Sequence, residues 1–255
     1  MSVFFYRDSG SPLHGFDPRT KIAALLALFA AIVFIDRTVV LAGLLAALVG
    51  LFTLARSLGS LRRMAVLFLL IGATTFVLWT LSYQGPEKVR LIAGLTVARG
   101  ATGRAALLSL RFLDMLLAGL LFLSVTSLED LSAGLVLFGV PYPAAFALSL
   151  SFRLVIVFAA TGATIVEAQK VRGNDVERGS LLRRIRAYAP LLIPLILNGL
   201  RRVETLRAAL ESKGFSPRNR VRVGEKFRMR RRDWLALAGA LAFLALVIIL
   251  RAEPR

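Results

Sequence analysis

The sequence predicts an all-α polytopic membrane protein with about five transmembrane helices and two long helices of a different kind. Three observations carry that prediction. First, 57% of the 255 residues are hydrophobic, against about 45–50% in an ordinary soluble domain. Second, the apolar residues fall into long runs with few or no charges. Third, 33 Lys and Arg stand against 15 Asp and Glu, and most of the excess lies beside those runs. A disordered chain needs low hydrophobicity, so it is excluded. One small soluble core could not bury this much Leu, Ala, Val and Phe.

The elements follow in order. The first 20 residues do not read as a cleavable signal, and the run from Ile22 is expected to be a retained membrane helix. Ile22–Ile35 is free of charge but short, about 21 Å at 1.5 Å per residue. It is expected to extend back through Lys21, whose stem can snorkel. Asp36-Arg37-Thr38 reads as a tight turn, and Val39–Ala55 runs back. Arg56, Arg62 and Arg63 form a basic loop. Met64–Tyr83 is a span of 20 residues without a charge. Gln84–Arg104 reads as a polar loop, and the glycines of 94–103 as scattered rather than as a strand-turn-helix phosphate site. Ala105–Ser124 spans again and carries Arg111 and Asp114. Leu128–Phe138 is a short amphipathic helix stopped by Gly139 and Pro141. Tyr142–Val166 is apolar except for Arg153 and runs on into the charged Glu167–Gly173. Ser180–Lys213 is another long helix with an apolar middle, Tyr188–Gly199, and Pro190 and Pro194 predict a kink or break in it. Trp234–Leu250 is the last span, preceded by interface-type residues.

Charge sets the expected orientation. Segment 167–232 holds 18 basic and 6 acidic residues, and loop 55–63 holds three Arg and no acid. The positive-inside rule weights the short loop and the flank before Trp234, and both are expected to face the cytoplasm. Five spans then put the N-terminus inside and the C-terminus outside. Seven follow if 142–166 and 188–200 also cross. A multi-pass protein of the cell membrane is expected. Basic segments beside apolar runs suit anionic lipid better than nucleic acid, which is not expected as a partner.

The two long helices end alike. Ala168-Gln169-Lys170-Val171-Arg172-Gly173 has the form Ala-x-x-x-Arg-Gly. Ala209-Leu210-Glu211-Ser212-Lys213-Gly214 has the form Ala-x-x-x-Lys-Gly, 41 residues later. One reading is local: Gly is the usual left-handed residue after a helix, and a cation in the last turn suits the dipole. The other is recognition, with a small Ala permitting close approach and the cation reaching an acidic groove on a soluble partner.

With these motifs the chain resembles the transmembrane T component of energy-coupling factor (ECF) transporters over nearly its whole length. Ser11-Pro12-Leu13-His14-Gly15-Phe16-Asp17-Pro18-Arg19-Thr20-Lys21 is close to that family's S-P-L-H-x-L-D-P-R-x-K opening. Glu167–Gly173 resembles its A-Q-x-A-R-G, and Ala209–Phe215 its A-M-E-A-R-G-F/Y. The resemblance implies a pair of long crossing coupling helices on the cytoplasmic side. It implies that Ala168, Arg172 and Gly173, with Ala209, Lys213 and Gly214, dock two ABC-type ATPase subunits, the same or different. It also implies a membrane-embedded substrate-binding S component as third partner, and uptake of a vitamin, cobalt or nickel. ATP and Mg would sit on the ATPases, and no cofactor on this chain. Implied domains are 1–126 (four transmembrane helices), 127–232 (three coupling helices) and 233–255 (the last span). Asp17, Pro18, Arg19 and Lys21 of the opening motif are expected to be structural. Two departures stand out: Val171 where the family has Ala, and Ser212-Lys213 where it has Ala-Arg. Arg engages a carboxylate bidentately and Lys as a point charge.

Other polar residues carry less. Arg111 and Asp114 share a helix face. They either mark a functional pathway, pair with each other, or lie near the outer interface. Arg153 is expected to reach water or a backbone carbonyl. His14 is expected to pack at an interface rather than bind a ligand. With no Cys and one His, thiolate and multi-His metal sites are excluded. No P-loop motif or zinc-protease motif is present, so a non-catalytic subunit is expected. The main rival is a stand-alone secondary transporter, which predicts inverted repeats that the sequence lacks. A membrane enzyme would need convergent acids or His inside the spans, where only Asp114 qualifies.

Overall fold

The structure, a computed structural model, describes residues 11, 13–82, 88–90, 96–98, 100–173, 181–214 and 229–252. Pro12 and Phe215 of the motifs, the basic stretch 215–228 and most of loop 84–99 lie outside the described residues. The described residues form eight helices and one hairpin. The chain divides into two compact units, Met1–Phe138 with Gly224–Arg255, and Gly139–Val223.

In the first unit α1 (Pro18–Phe34), α2 (Thr38–Leu54) and α3 (Leu58–Ser82) follow one another closely. Asp17 caps α1, and Pro18 opens it where a missing N–H costs nothing. The α2–α3 turn closes with Ser57 N donating to Phe52 O (3.1 Å) and Arg56 N to Thr53 O (3.1 Å). That is a Schellman closure with Arg56 in the left-handed position, at φ 52°. The expected loop after α3 contains a hairpin, β1 (Lys88–Arg90) paired antiparallel with β2 (Thr96–Ala98), Val89 opposite Val97. Strand β2 leads past Gly100, at φ +86°, into α4 (Ala101–Val125). A strand, a left-handed glycine and a helix thus occur in succession, where the sequence suggested scattered loop glycines. Then come α5 (Leu128–Leu137) and, late in the chain, α8 (Arg231–Ala252).

Helix α4 is central and packs on α1, α2 and α3, while α8 packs on α1. Ala31, Ile32, Leu41 and Val247 are buried together, with a second cluster around Leu48, Phe52, Leu117 and Ala118. Between helices in lipid, close backbone approach replaces the hydrophobic drive, so small residues sit at the contacts. A Cβ at Gly72 of α3 would lie 3.0 Å from Leu113 of α4. Meanwhile Val66, Leu69 and Leu70 of α3 point outward and stay exposed, the reverse of a soluble surface.

The second unit is the pair α6 (Tyr142–Val171) and α7 (Leu181–Ser212). At 30 and 32 residues they measure about 45 and 48 Å. They pack on each other, with Phe158 against Gly199. Helix α7 runs unbroken through positions 190 and 194, so the expected break does not occur. Among the described residues four helices are long and apolar enough to cross a membrane: α3, α4, α6 and α8. Helix α2 is a shorter apolar helix.

Candidate functional site

The two ends of the second unit are superimposable in their bonding. At the end of α6, Arg172 N donates to Ala168 O (3.3 Å) and Gly173 N to Lys170 O (3.0 Å). At the end of α7, Lys213 N donates to Ala209 O (3.3 Å) and Gly214 N to Glu211 O (3.0 Å). Gly173 and Gly214 both turn left-handed, at φ 84° and 67°. An L side chain strains there, so glycine is what lets each chain leave its helix. Ala168, Arg172, Gly173, Ala209, Lys213 and Gly214 are all exposed. Among the described residues neither Arg172 nor Lys213 forms a side-chain hydrogen bond or ion pair. The nearby Arg207–Glu211 pair, 2.8 Å long, runs along the α7 surface.

The opening motif lies elsewhere, in the first unit, and is tied to four elements. Asp17 accepts from Arg19 N (2.9 Å), and its own N–H donates to Asp233 Oδ1 (2.8 Å). The other oxygen of Asp233 accepts from Arg230 N (2.7 Å), capping α8. One buried carboxylate therefore joins the starts of the first and last helices. Lys21 is buried; its Nζ donates to His14 O (2.9 Å) and Val125 O (3.0 Å) and lies 3.6 Å from Asp130 of α5. Arg232 donates to Gly15 O (2.7 Å) and stacks over Phe16. Ser11 Oγ and His14 Nδ1 share a hydrogen bond of 2.6 Å. Pro18 is buried beneath Gly134, where a Cβ would come within 3.2 Å of it. Sequence reasoning missed Asp233 and Asp130. An acid in the first turn of a helix is a readable capping signal, but their partners lie more than 100 residues away.

Arg111 and Asp114 do not pair. Arg111 Nη2 donates to Ile35 O (2.6 Å) and to Asp36 Oδ1 (3.3 Å). Arg251 reaches the other oxygen of Asp36 at 3.3 Å. Asp114 is fully buried, and neither carboxylate oxygen has a hydrogen-bond partner among the described residues. Arg153 is exposed. Among the described residues no group of three His, Cys, Asp or Glu could hold a metal ion.

The chain is similar to known proteins along most of its length. The family model described as cobalt transport protein, CbiQ, matches residues 9–223. The energy-coupling factor transporter transmembrane protein EcfT of Bacillus subtilis is 28% identical, over 99% of this chain and 98% of its own. EcfT of Thermanaerovibrio acidaminovorans is 32% identical, over 91% and 89%. EcfT of Heliobacterium modesticaldum is 31% identical, over 83% and 84%. With helices of spanning length, long paired helices and matches along most of its length, the chain belongs to the CbiQ cobalt transport protein family, as a non-catalytic transmembrane T component of an ECF transporter.

Proposed function

We propose that this chain is the coupling subunit of an ATP-driven importer, docking two ABC-type ATPase subunits through the ends of α6 and α7. The observation that carries this reading is the twin geometry of those ends. Each helix end is closed by backbone bonds to its glycine turn. The cation beside each turn is therefore not needed for capping and is exposed, without a side-chain partner among the described residues. A charge-assisted hydrogen bond to an acidic partner contributes about 1.5–3 kcal/mol. Arg172 can form two parallel bonds to a carboxylate and Lys213 only a point contact. The α6 end is thus the stronger anchor, and two different ATPases would suit the two ends.

Closure of the ATPase pair on ATP moves the two ends, and the apolar faces carry that motion to a membrane-embedded S component. Ile156 of α6 and Leu192, Ile193, Ile196 and Leu197 of α7 are exposed apolar residues available for that sliding contact. The S component selects the cargo, a vitamin or a transition-metal ion such as cobalt or nickel. ATP and Mg belong to the partner ATPases. The N-terminus and both helix ends face the cytoplasm. The domain roles are those of a membrane domain (1–126, with 233–255) and a coupling domain (127–232).

The test is co-expression with a pair of ABC-type ATPases of ECF transporters, purifying through a tag on this chain. Wild type retains both ATPases. Arg172→Glu with Lys213→Glu loses them while eluting as the same monodisperse species. Arg172→Glu alone loses more than Lys213→Glu alone. Full retention by the double variant would reduce both ends to helix caps and overturn the docking role.

A further inference from the structure

Where α1 turns into α2, the bonding of Arg111 is incomplete. Its Nη2 donates to Ile35 O (2.6 Å) and to Asp36 Oδ1 (3.3 Å), yet its Nε is buried without a partner among the described residues. One turn further along α4, Asp114 is fully buried, and both of its carboxylate oxygens lack a partner as well. A donor and two acceptors of complementary charge thus sit three residues apart on one helix. That spacing lets side chains touch, and a helical side chain leans toward the helix start, so Asp114 leans toward Arg111.

The surrounding helices offer Asp114 nothing else. Helix α4 packs on α1, α2 and α3. Helix α2 has no ionisable residue, α1 has none from Ile22 to Phe34, and α3 has none from Met64 to Ser82. Arg104 lies ten residues from Asp114, about 15 Å along the axis. Among the described residues Arg111 is the cation that this carboxylate can reach. Meanwhile the present hold of Arg111 is divided. Asp36 is half-exposed, so its pair with Arg111 contributes little. Asp36 also receives Arg251 of α8 at 3.3 Å, and Arg251 stacks over Phe34. Asp36 therefore keeps a partner when Arg111 leaves. Leaving strands one acceptor, Ile35 O; joining Asp114 satisfies a buried charge.

We propose that Arg111 is a latch with two positions. Bonded to Ile35 and Asp36, as seen, it ties the α1–α2 turn to α4. Paired with Asp114, it releases that turn, which stays joined to α8 through Asp36 and Arg251. The latch belongs to the first unit and does not depend on the docking role.

The chain has no Cys, so Val39→Cys and Thr102→Cys, both at exposed positions, place one spin label beside the turn and one at the start of α4. Distances between the labels are measured by electron resonance on the full chain in lipid nanodiscs. The labelled parent shows one dominant distance. Asp36→Ala weakens the hold and raises the share of a longer distance a few-fold, the size of one half-exposed ion pair. Asp36→Asn, a milder change, shifts it in the same direction. Adding Asp114→Asn, which keeps the shape of the carboxyl group without its charge, restores the parent's distribution. Arg251→Met removes the other partner of Asp36 and leaves the parent's distribution unchanged. A distribution that neither Asp36 variant alters overturns the latch. So does a longer distance that persists after Asp114→Asn is added, because the turn is then loose without a second position for Arg111. A longer distance in Arg251→Met also overturns it, because the hold on the turn then comes from α8.

Discussion

Replacing Lys21 by Met removes the ammonium and keeps most of the apolar stem. The structure then sets the cost. Val125 O loses its 3.0 Å bond in a buried setting, and His14 O loses its 2.9 Å bond in a partly buried one. A buried acceptor left unpaired costs about 1–3 kcal/mol; about 2 for Val125 and about 1 for His14 follows. Asp130 loses an ion pair at 3.6 Å, but it is 26% exposed and water can solvate it, so that loss stays below about 1 kcal/mol. Lys21→Met therefore destabilises by about 3 kcal/mol, more than a hundredfold in the folded-to-unfolded ratio at about 1.4 kcal/mol per decade. Asp130→Asn loses less than about 1 kcal/mol. The assay is denaturation of the full chain in mixed micelles by a graded mole fraction of dodecyl sulfate, followed by tryptophan fluorescence. Equal, small losses for both variants would refute the reasoning, because the two carbonyl bonds would then carry nothing.

Three further outcomes are expected in the same assay. Gly134→Leu drives a side chain into Ile22 and Pro18, whose atoms lie 2.7 and 3.2 Å from a bare Cβ. It should cost about 3 kcal/mol by overpacking, whereas Gly239→Leu, with nothing within 4 Å, should stay close to wild type. Asp114→Leu removes a fully buried carboxylate with no partner among the described residues and should stabilise by at least about 1 kcal/mol; a loss would mean that the carboxylate is satisfied by a group outside them. Arg56→Gly relieves a left-handed arginine at φ 52° and should gain about 1 kcal/mol, visible as a later unfolding midpoint.

What the sequence made legible is what is local. Runs of apolar residues set α2, α4 and α8 to within a few residues, and Asp36-Arg37-Thr38 marks the turn between α1 and α2; α3 instead begins at Leu58, ahead of the expected Met64, so Arg62 and Arg63 lie in its first turns and not in a loop. Proline at 190 and 194 suggested a kink or a break, and of these the break does not occur in α7. Two missing N–H groups one turn apart interrupt the bonding on one face only, and the flanking turns hold the helix. The hairpin at 88–98 was not foreseen, because three-residue strands are too short for alternation to emerge. The opening motif could be recognised but not explained. Its partners, Val125 O and Asp233, lie 104 and 216 residues from the groups they bind, and no local period encodes that. Arg111 followed the same rule: its neighbour in sequence is Asp114, but its bonds go to Ile35 and Asp36.

At the helix ends a cap and the proposed docking site are not competing explanations. Glycine in the left-handed position is needed to end each helix, and the bonds at 3.3 and 3.0 Å recur at both. Those bonds fix the direction in which residues 172 and 213 leave the helix, whatever side chain they carry. Capping therefore supplies the rigid mount, and the side chain alone is free to vary. Mutating Gly173 or Gly214 to Ala tests the mount, since φ 84° and 67° strain any L residue. Mutating Arg172 or Lys213 tests the contact and leaves the mount intact. If the glycine variants release the ATPases as charge reversal does, orientation is part of recognition. If only charge reversal releases them, the cations act through long-range attraction, and added salt should then weaken wild-type binding steeply over a Debye length of about 10 Å at 0.1 M.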